Sequence, residues 1–472
     1  MSNRNRWILT WAAALLPLLG WWMTGLFDLD EGFYGAVVAE MNRRGEWITP
    51  YYNGSPWFEK PILLYWLGKP SVALLGDMAG PRLPSVLANI GIYALTVWFC
   101  RRRFSESVAQ LALLILGSSF LMVVLGRMMM TDSPLALCLL AAWITLWESL
   151  DGDKRWRWLS GLAIGIGVLA KGPVALILFA LVMLWMFARH PSVRPKMRGG
   201  WVGFWLLCMA SLCSWYVPAY LASGETFVQK FLIDQNIGRF VGGDAAHTLG
   251  GFASLVLYIP VLFLGMLPWS VWVPKSLLVR TSELESYLAT CAVAVFLFFT
   301  IGGAKLPHYI LPCLPPLAIL VASRLHQRTW TYNFGLAWCV VVALAANLIQ
   351  GWYYAASGQR EAHALARYIR ANAAFDEVAL FQLGRREKEL GTGTLNVQET
   401  SLPSMMLYLN RATLDTDDFQ RILGSQRKVW LFTRSGRIRP EHYALALEAG
   451  KRLDRVYVGG MDLKNFELYV VR

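Results

Sequence analysis

Across 472 residues the chain is 56% hydrophobic and only 16% charged, with a mean hydropathy of +0.41, against about 45–50% apolar and about 25% charged in ordinary soluble domains. That balance excludes a soluble globular protein and identifies a polytopic membrane protein. The net charge of +13 is spread over separate loops and forms no basic groove or recognition motif, which argues against a nucleic-acid partner.

Apolar runs long enough to cross about 30 Å of hydrocarbon, roughly 17–25 residues each, predict about eleven spans. They begin near Trp7, Arg82, Ser107, Ser133, Trp158, Pro173, Trp201, Phe252, Ser286, Tyr309 and Tyr332, and stop near Ala356. The first run is longer than a signal-peptide core and lacks a small-residue cleavage site before Asp28, so it reads as a retained span. Lys and Arg gather in alternate loops: Arg4 and Arg6, Arg101 to Arg103, Lys154 to Arg157, Arg189 to Arg198, Lys275 with Arg280, and Arg324 with Arg328. The positive-inside rule then predicts a cytoplasmic N-terminus and, with an odd number of spans, an external tail. All seven cysteines, from Cys100 to Cys339, fall in or beside apolar runs without a CxxC pair, so neither a disulfide framework nor a zinc site is expected.

The longest outer loop covers 28–81. Within it, residues 32–44 place Phe33, Val37, Val38 and Met41 at helical spacing with Glu40, Asn42, Arg43 and Arg44 largely opposite, the pattern of a helix lying in the membrane interface. Asn53-Gly54 predicts a tight turn, and a second amphipathic stretch covers 62–75. Further outer loops are 126–132, the Lys171-Gly172-Pro173 turn, 223–251 and 302–308. Beyond Gly358 the composition becomes ordinary. Helices are expected over 362–373 and 440–449, and strands over 377–382, 428–433, 455–459 and 466–471. The expected fold is therefore an α-helical membrane domain over 1–356, with juxtamembrane helices in its first loop, followed by a small external α/β domain over 357–472.

Charges are costly in a membrane, about +2.5 to +3.5 kcal/mol each at a span centre, so those at span ends are functional candidates. Asp30, Glu31, Glu59, Lys60, Asp132, Lys171, Arg239, Lys305 and His308 all fall on the outer side, which predicts one polar pocket there. Lys60, Lys171, Arg239 and Lys305 suit a phosphate; Asp30, Glu31 and Asp132 suit hydroxyl or amine recognition and general-base chemistry. Together they describe a site for a lipid phosphate carrying a sugar, with Tyr34, Trp57, Phe58, Tyr65, Trp66 and Tyr309 as stacking faces. Plainer roles compete with each of these. Asp30-Glu31 can be a helix cap, Glu59-Lys60 a local ion pair, Lys171 a snorkelling lysine and Asp132 a helix start. Arg239 and Lys305 can hold loops to headgroups, and His308 and His247 can be structural hydrogen-bonders.

The stretches "DLDEGFYGAVVAEM", "GEWITPYYNGSPWFEKPILLYW", "PRLPSVL", "MMMTDSPL", "AKGPVAL", "NIGRF" and "AKLPHYILPCLPPLAIL", in this order, resemble the ArnT-like and protein-mannosyltransferase superfamily of GT-C membrane glycosyltransferases. The resemblance implies an inverting enzyme of the bacterial inner membrane, with a periplasmic active site. It would move a sugar, 4-amino-4-deoxy-L-arabinose or a related pentose or hexose, from a polyprenyl-phosphate donor to an envelope acceptor such as lipid A. It further implies that Asp30 is the first-loop carboxylate that activates or orients the acceptor and Asp132 the second acid. Lys60, with Glu59 beside it, would contact the donor phosphate, and Arg239 and Tyr309 would line its site. Phe33 stands where a basic residue is common in that superfamily, Asn236 where some members have His, and the tail is short. A protein O-mannosyltransferase or another envelope-glycan transferase is the alternative acceptor class. A lipid-linked-sugar flippase would instead place ionisable groups near the midplane or show repeat symmetry. A monophosphate donor gives no strong reason for a divalent metal.

Overall fold

The computed structural model describes residues 2–28, 30–238, 255–383, 402–459 and 463–472. Six helices among them are long and apolar enough to cross a membrane, or up to eight if each of two sharply bent pairs is one span. The runs starting near Trp7, Trp158 and Pro173 are helical but shorter than expected: α1, Asn3–Leu15, has 13 residues, and Trp156–Lys171 and Val174–Arg189 have 16 each. At about 1.5 Å per residue the longer two reach about 24 Å, short of a full crossing. The cause of the first shortening is local. After Leu15 the backbone unwinds through Leu16–Leu18 to Gly20 at φ +92. The buried guanidinium of Arg127 takes the Pro17 carbonyl at 3.3 Å, and that of Arg82 the Trp21 carbonyl at 2.8 Å. These arginines supply the donors that the broken helix lacks.

Two compact units cut the chain differently from its composition. The first comprises Met1–Trp21, Phe58–Trp66 and Arg82–Leu348; the second comprises Trp22–Trp57, Leu67–Pro81 and Ile349–Arg472. Most of the first loop, but not Phe58–Trp66, thus belongs to one body with the tail.

In the first unit the basic helix ends lie together. Arg101, at the end of α4 (Leu83–Arg103), pairs with Glu106 at 2.7 Å; Arg102 and Arg103 pair with Glu148, near the end of α7 (Asp132–Asp151). Glu106 also accepts from the Trp7 indole of α1 at 2.7 Å. Arg157, in the first turn of α8 (Trp156–Lys171), donates to carbonyls of Lys196, Met197 and Gly199 just ahead of the helix Trp201–Phe227. Gly161 and Gly165 of α8 lie against the backbone of Phe204 and Cys208 on that helix, the close approach that small residues allow. Asp132 and Lys171 stand at the opposite ends of α7 and α8 from this basic layer.

In the second unit, helix α2 (Asp30–Arg44) matches the predicted 32–44 segment; of its expected polar side Asn42, Arg43 and Arg44 are exposed, but Glu40 is not. Ten of its residues, Glu31 and Glu40 included, are buried, and it packs against a short helix, α17 (Ser404–Leu409), in the tail. Glu40 accepts from Arg44 at 2.9 Å and from the Gly54 amide at 3.0 Å. Glu40 is thereby covered by the turn of the hairpin that pairs Tyr51 with Pro56 and Tyr52 with Ser55. Asn53 and Gly54, at φ 46 and 88, make the left-handed two-residue turn that the Asn-Gly pair predicts. The tail carries a five-stranded sheet in the order β4-β3-β5-β7-β6: β3 is Glu377–Phe381, β4 Leu414–Thr416, β5 Val429–Arg434, β6 Leu453–Val456 and β7 Phe466–Val471. β3 runs parallel to β4 and β5, and β7 antiparallel to β5 and β6. Phe381, Phe419, Ile422, Leu431 and Tyr469 fill the core on one of its faces. The strand expected over 455–459 starts two residues earlier. α17, β4 and the five-residue helix Phe419–Leu423 are additions to the expected elements.

Candidate functional site

Asp132 opens α7, where a helix dipole favours a carboxylate, and is 1% exposed. Lys171 closes α8, and because α7 and α8 form an antiparallel pair, the two ends meet. The Lys171 ammonium donates to Asp132 Oδ1 and lies 4.2 Å over the Tyr309 ring. His308 Nε2 stands 3.8 Å from Asp132 Oδ2, too long for a hydrogen bond. Among the described residues Oδ2 has no hydrogen-bond donor. A buried acceptor left unmade costs about 1–3 kcal/mol or more when charged, so this oxygen has room for a further hydrogen-bond donor. Lys171, expected to bind phosphate, holds Asp132 with one of its three donors.

Gly172 follows Lys171 at φ +84, with Asn236 Oδ1 only 2.6 Å from where a Cβ would stand. The π-helical segment Val228–Gly238 therefore passes directly beside the end of α8. Upstream of Asn236, Phe227 and Phe231 stack at 5.3 Å and enclose Trp215 in edge contacts of 5.4 Å. Phe58 enters the same nest, 5.3 Å from Phe227 and 1% exposed. That plug fixes the backbone leading into half-buried Glu59 and Lys60. The sequence neighbours of Lys60 and of Arg239 are thus gathered with Asp132, Lys171, His308 and Tyr309 in one unit. Arg239 and His247 lie outside the described residues.

Lys305 has a different use from the expected one. Its ammonium donates to the Phe299 carbonyl at 2.7 Å and to that of Thr300, closing the last turn of the helix Glu283–Ile301. Burial pushes its pKa below the ordinary lysine value. Tyr258, which sequence reasoning passed over, lies under that ammonium at 5.8 Å and donates to the Leu306 carbonyl at 3.2 Å, fixing the backbone just before His308.

In the second unit Asp30 is exposed in the first turn of α2. Glu31 is fully buried, and its Oε2 accepts the Phe27 amide at 2.9 Å. That oxygen, of a residue expected to be a catalytic carboxylate, closes the entry to the helix. Tyr34 is buried, as are Phe58 and Tyr65 of the first unit, so these three serve packing and offer no open stacking face. Trp57 remains half-buried, stacked on Phe33 at 5.2 Å and 15°, with Tyr52 at 5.0 Å. Asp28, not singled out from sequence, is tied to the tail by three hydrogen bonds. It accepts from the Ser404 amide at 2.9 Å, the Ser404 hydroxyl at 2.7 Å and Gln359 Nε2 at 3.1 Å. Burial pushes its pKa up to about 7, resisted by the Ser404 bonds. The signal for it was present, as the first acid of the Asp-Leu-Asp-Glu run.

Residues 59–216 match the dolichyl-phosphate-mannose-protein mannosyltransferase family. An undecaprenyl phosphate-alpha-4-amino-4-deoxy-L-arabinose arabinosyl transferase of Enterobacter sp. (strain 638) is 31% identical over 386 residues, covering 76% of this chain and 68% of the relative. The like-named protein of Pseudomonas aeruginosa (strain UCBPP-PA14) is 31% identical over 372 residues, covering 73% of this chain and 66% of the relative. The chain spans about two thirds of the length of such relatives. Among solved structures, ArnT from Cupriavidus metallidurans bound to undecaprenyl phosphate superposes with a TM-score of 0.80 at 17% identity, covering 99% of this chain and 98% of that one. The oligosaccharyltransferase AglB from Archaeoglobus fulgidus gives 0.52 at 12% identity, covering 94% and 71%. These two likenesses concern the fold.

Proposed function

Since the chain belongs to the ArnT-like family of membrane glycosyltransferases, we propose that it moves 4-amino-4-deoxy-L-arabinose, or a closely related sugar, from an undecaprenyl-phosphate donor to a lipid A-type acceptor. The observation that carries this reading is the buried carboxylate oxygen of Asp132. It is held from one side by Lys171 and among the described residues lacks a donor on the other, in the unit that also holds Lys60 and Tyr309. An amino or hydroxyl group of a sugar is the donor such an oxygen accepts.

In this mechanism Lys60 and Arg239 grip the donor phosphate. As the bond from the anomeric carbon to the phosphate oxygen breaks, its electron pair leaves with the phosphate, and the two cations stabilise the charge that accumulates there. The acceptor oxygen attacks the opposite face of the sugar, giving inversion. Asp30 takes the proton of an acceptor hydroxyl; if the acceptor oxygen belongs to a phosphate, no base is needed and Asp30 orients it. Lys171 keeps Asp132 in place. In this reading the N-terminus is cytoplasmic and the transfer site and tail are periplasmic, an orientation that the alternation of basic loops supports.

The test is transfer in proteoliposomes holding undecaprenyl-phosphate-linked 4-amino-4-deoxy-L-arabinose and lipid A, followed by mass spectrometry of both lipids. Wild-type protein should deplete the donor and add one sugar to lipid A, and Asp30→Asn and Lys60→Ala should each abolish transfer. Donor consumption without a lipid A product would move the acceptor to another envelope glycan or a protein hydroxyl. An untouched donor, or full activity in both variants, would refute the reading.

A further inference from the structure

We propose that Asp28, Ser404 and Gln359 form a clamp that positions the first turn of α2, and with it Asp30, which makes the tail domain a working part of the transferase. The inference rests on the role given to Asp30 above and adds to it what holds that residue in register.

Asp28 lies two residues before Asp30, and each of its three hydrogen bonds goes to the tail: two to Ser404, which opens α17, and one to Gln359, which opens the tail helix α16 (Gln359–Asn372). Ser404 is 1% and Gln359 5% exposed, so water does not compete for these bonds. Two residues upstream, the Leu26 amide donates to the Tyr408 hydroxyl at 2.5 Å, and the Tyr408 ring packs at a 38° tilt against His363 of α16, 4.4 Å between centroids. Downstream, Gly32 and Gly35 of α2 bring the helix against the same element. A Cβ on Gly32 would stand 2.8 Å from the Ser404 nitrogen, and one on Gly35 3.0 Å from Leu407. The segment carrying Asp30 is therefore fixed at Leu26, Asp28, Gly32 and Gly35, each time by the tail. Near its raised pKa Asp28 occurs in both protonation states. The Gln359 amide serves either one, offering an N–H to the carboxylate or, turned over, its buried and otherwise unpartnered oxygen to the acid.

Asp28 and Ser404 are positioning residues, acting through the backbone of Asp30. A displacement of about 1 Å at a reacting group can cost roughly 100-fold in rate. Full-length protein in nanodiscs, given undecaprenyl-phosphate-linked 4-amino-4-deoxy-L-arabinose and lipid A, should show a kcat for Asp28→Ala lowered by roughly that factor, with the donor KM within about twofold. Asp28→Asn, which keeps an acceptor for the Ser404 amide, should recover most of the loss. Hydrogen exchange of a peptide covering 30–36 should accelerate in Asp28→Ala while peptides from β5 and β7 stay protected. Should Asp28→Ala fail to fold, Ser404→Ala and Gln359→Ala, each removing one side-chain bond, should show the same pattern at roughly three- to tenfold, as about 1 kcal/mol per bond implies. A kcat equal to wild type in the folded variants, or a loss that tracks folded protein alone while exchange over 30–36 is unchanged, would overturn the clamp. If wild-type protein transfers nothing, the functional reading falls, and the exchange experiment still decides whether the tail fixes the first turn of α2.

Discussion

Replacing Lys171 by Met should be far more damaging than neutralising Asp132, although both changes delete the same ion pair. Asp132 is 1% exposed and its second oxygen has no donor among the described residues. Without the ammonium, a buried carboxylate is left with only the His308 ring 3.8 Å away. Breaking a buried pair from one side costs about 3–5 kcal/mol, whereas removing both charges is often close to neutral. The converse change, Asp132→Asn, leaves a cation that still lies 4.2 Å over the Tyr309 ring and can still donate to the amide oxygen, and a cation over a ring retains about 0.5–2 kcal/mol. The expected order of destabilisation is Lys171→Met, then Asp132→Asn, with the double variant close to the milder single and a coupling of about 2–4 kcal/mol. Tryptophan fluorescence during unfolding in detergent reads all four proteins, given the 22 tryptophans of the chain. Additivity within about 0.5 kcal/mol would show that the two side chains do not depend on each other and would remove the basis for assigning Lys171 to the support of Asp132.

Much of this arrangement was legible in the sequence because periodicity and charge placement are local signals. The Asn53-Gly54 turn, α2, and the positions of Asp132 and Lys171 at like-facing helix ends follow from spacing and from the alternation of basic loops. The side of α2 that is buried, with Val37, Val38 and Met41, followed from spacing; the burial of Glu40 did not. Glu40 and Arg44 look like a solvated stripe until the Gly54 amide arrives to claim Glu40, a contact between residues whose proximity is set by the hairpin. Crossing lengths also misled, since the apolar run from Trp7 continues through residues whose backbone leaves the helix for the guanidiniums of Arg82 and Arg127. The partition into units was the least visible feature. Composition changes at Gly358, but hydrogen bonds from Asp28 to Ser404 and Gln359 bridge more than three hundred residues, and no window along the chain reports them. Lys305 illustrates the same limit at smaller scale, because its charge suggested an anion while its geometry hands the protons to helix-end carbonyls.

Gly172→Ala should lower both melting temperature and transfer rate, because a side chain at φ +84 and ψ −164 costs about 1–3 kcal/mol and the new methyl would meet Asn236; a wild-type melting curve would show that the turn tolerates a Cβ. Asp415→Asn should stabilise the tail in a pH-dependent manner. Burial, with Asp417 beside it, pushes the Asp415 carboxyl from its ordinary 3.8 up to about 7, and Oδ2 has no donor among the described residues. Between those values the unfolded chain is ionised there while the folded one keeps its proton, so folding takes up a proton and stability falls as pH rises, levelling off above about 7. Asparagine carries no such cost. The variant should therefore gain little below pH 4 and most at pH 8, about 1–2 kcal/mol after allowing for partial exposure. Asp28, also pushed up to about 7, gives the tail the same slope, and His363, held below its ordinary value by burial, opposes it at the acid end. The informative quantity is accordingly the difference between variant and wild-type melting temperatures at each pH, since Asp28 and His363 are common to both. A difference that does not widen between pH 4 and pH 8 would mean that Asp415 ionises in the folded tail as readily as in the unfolded chain, and that its buried oxygen finds water.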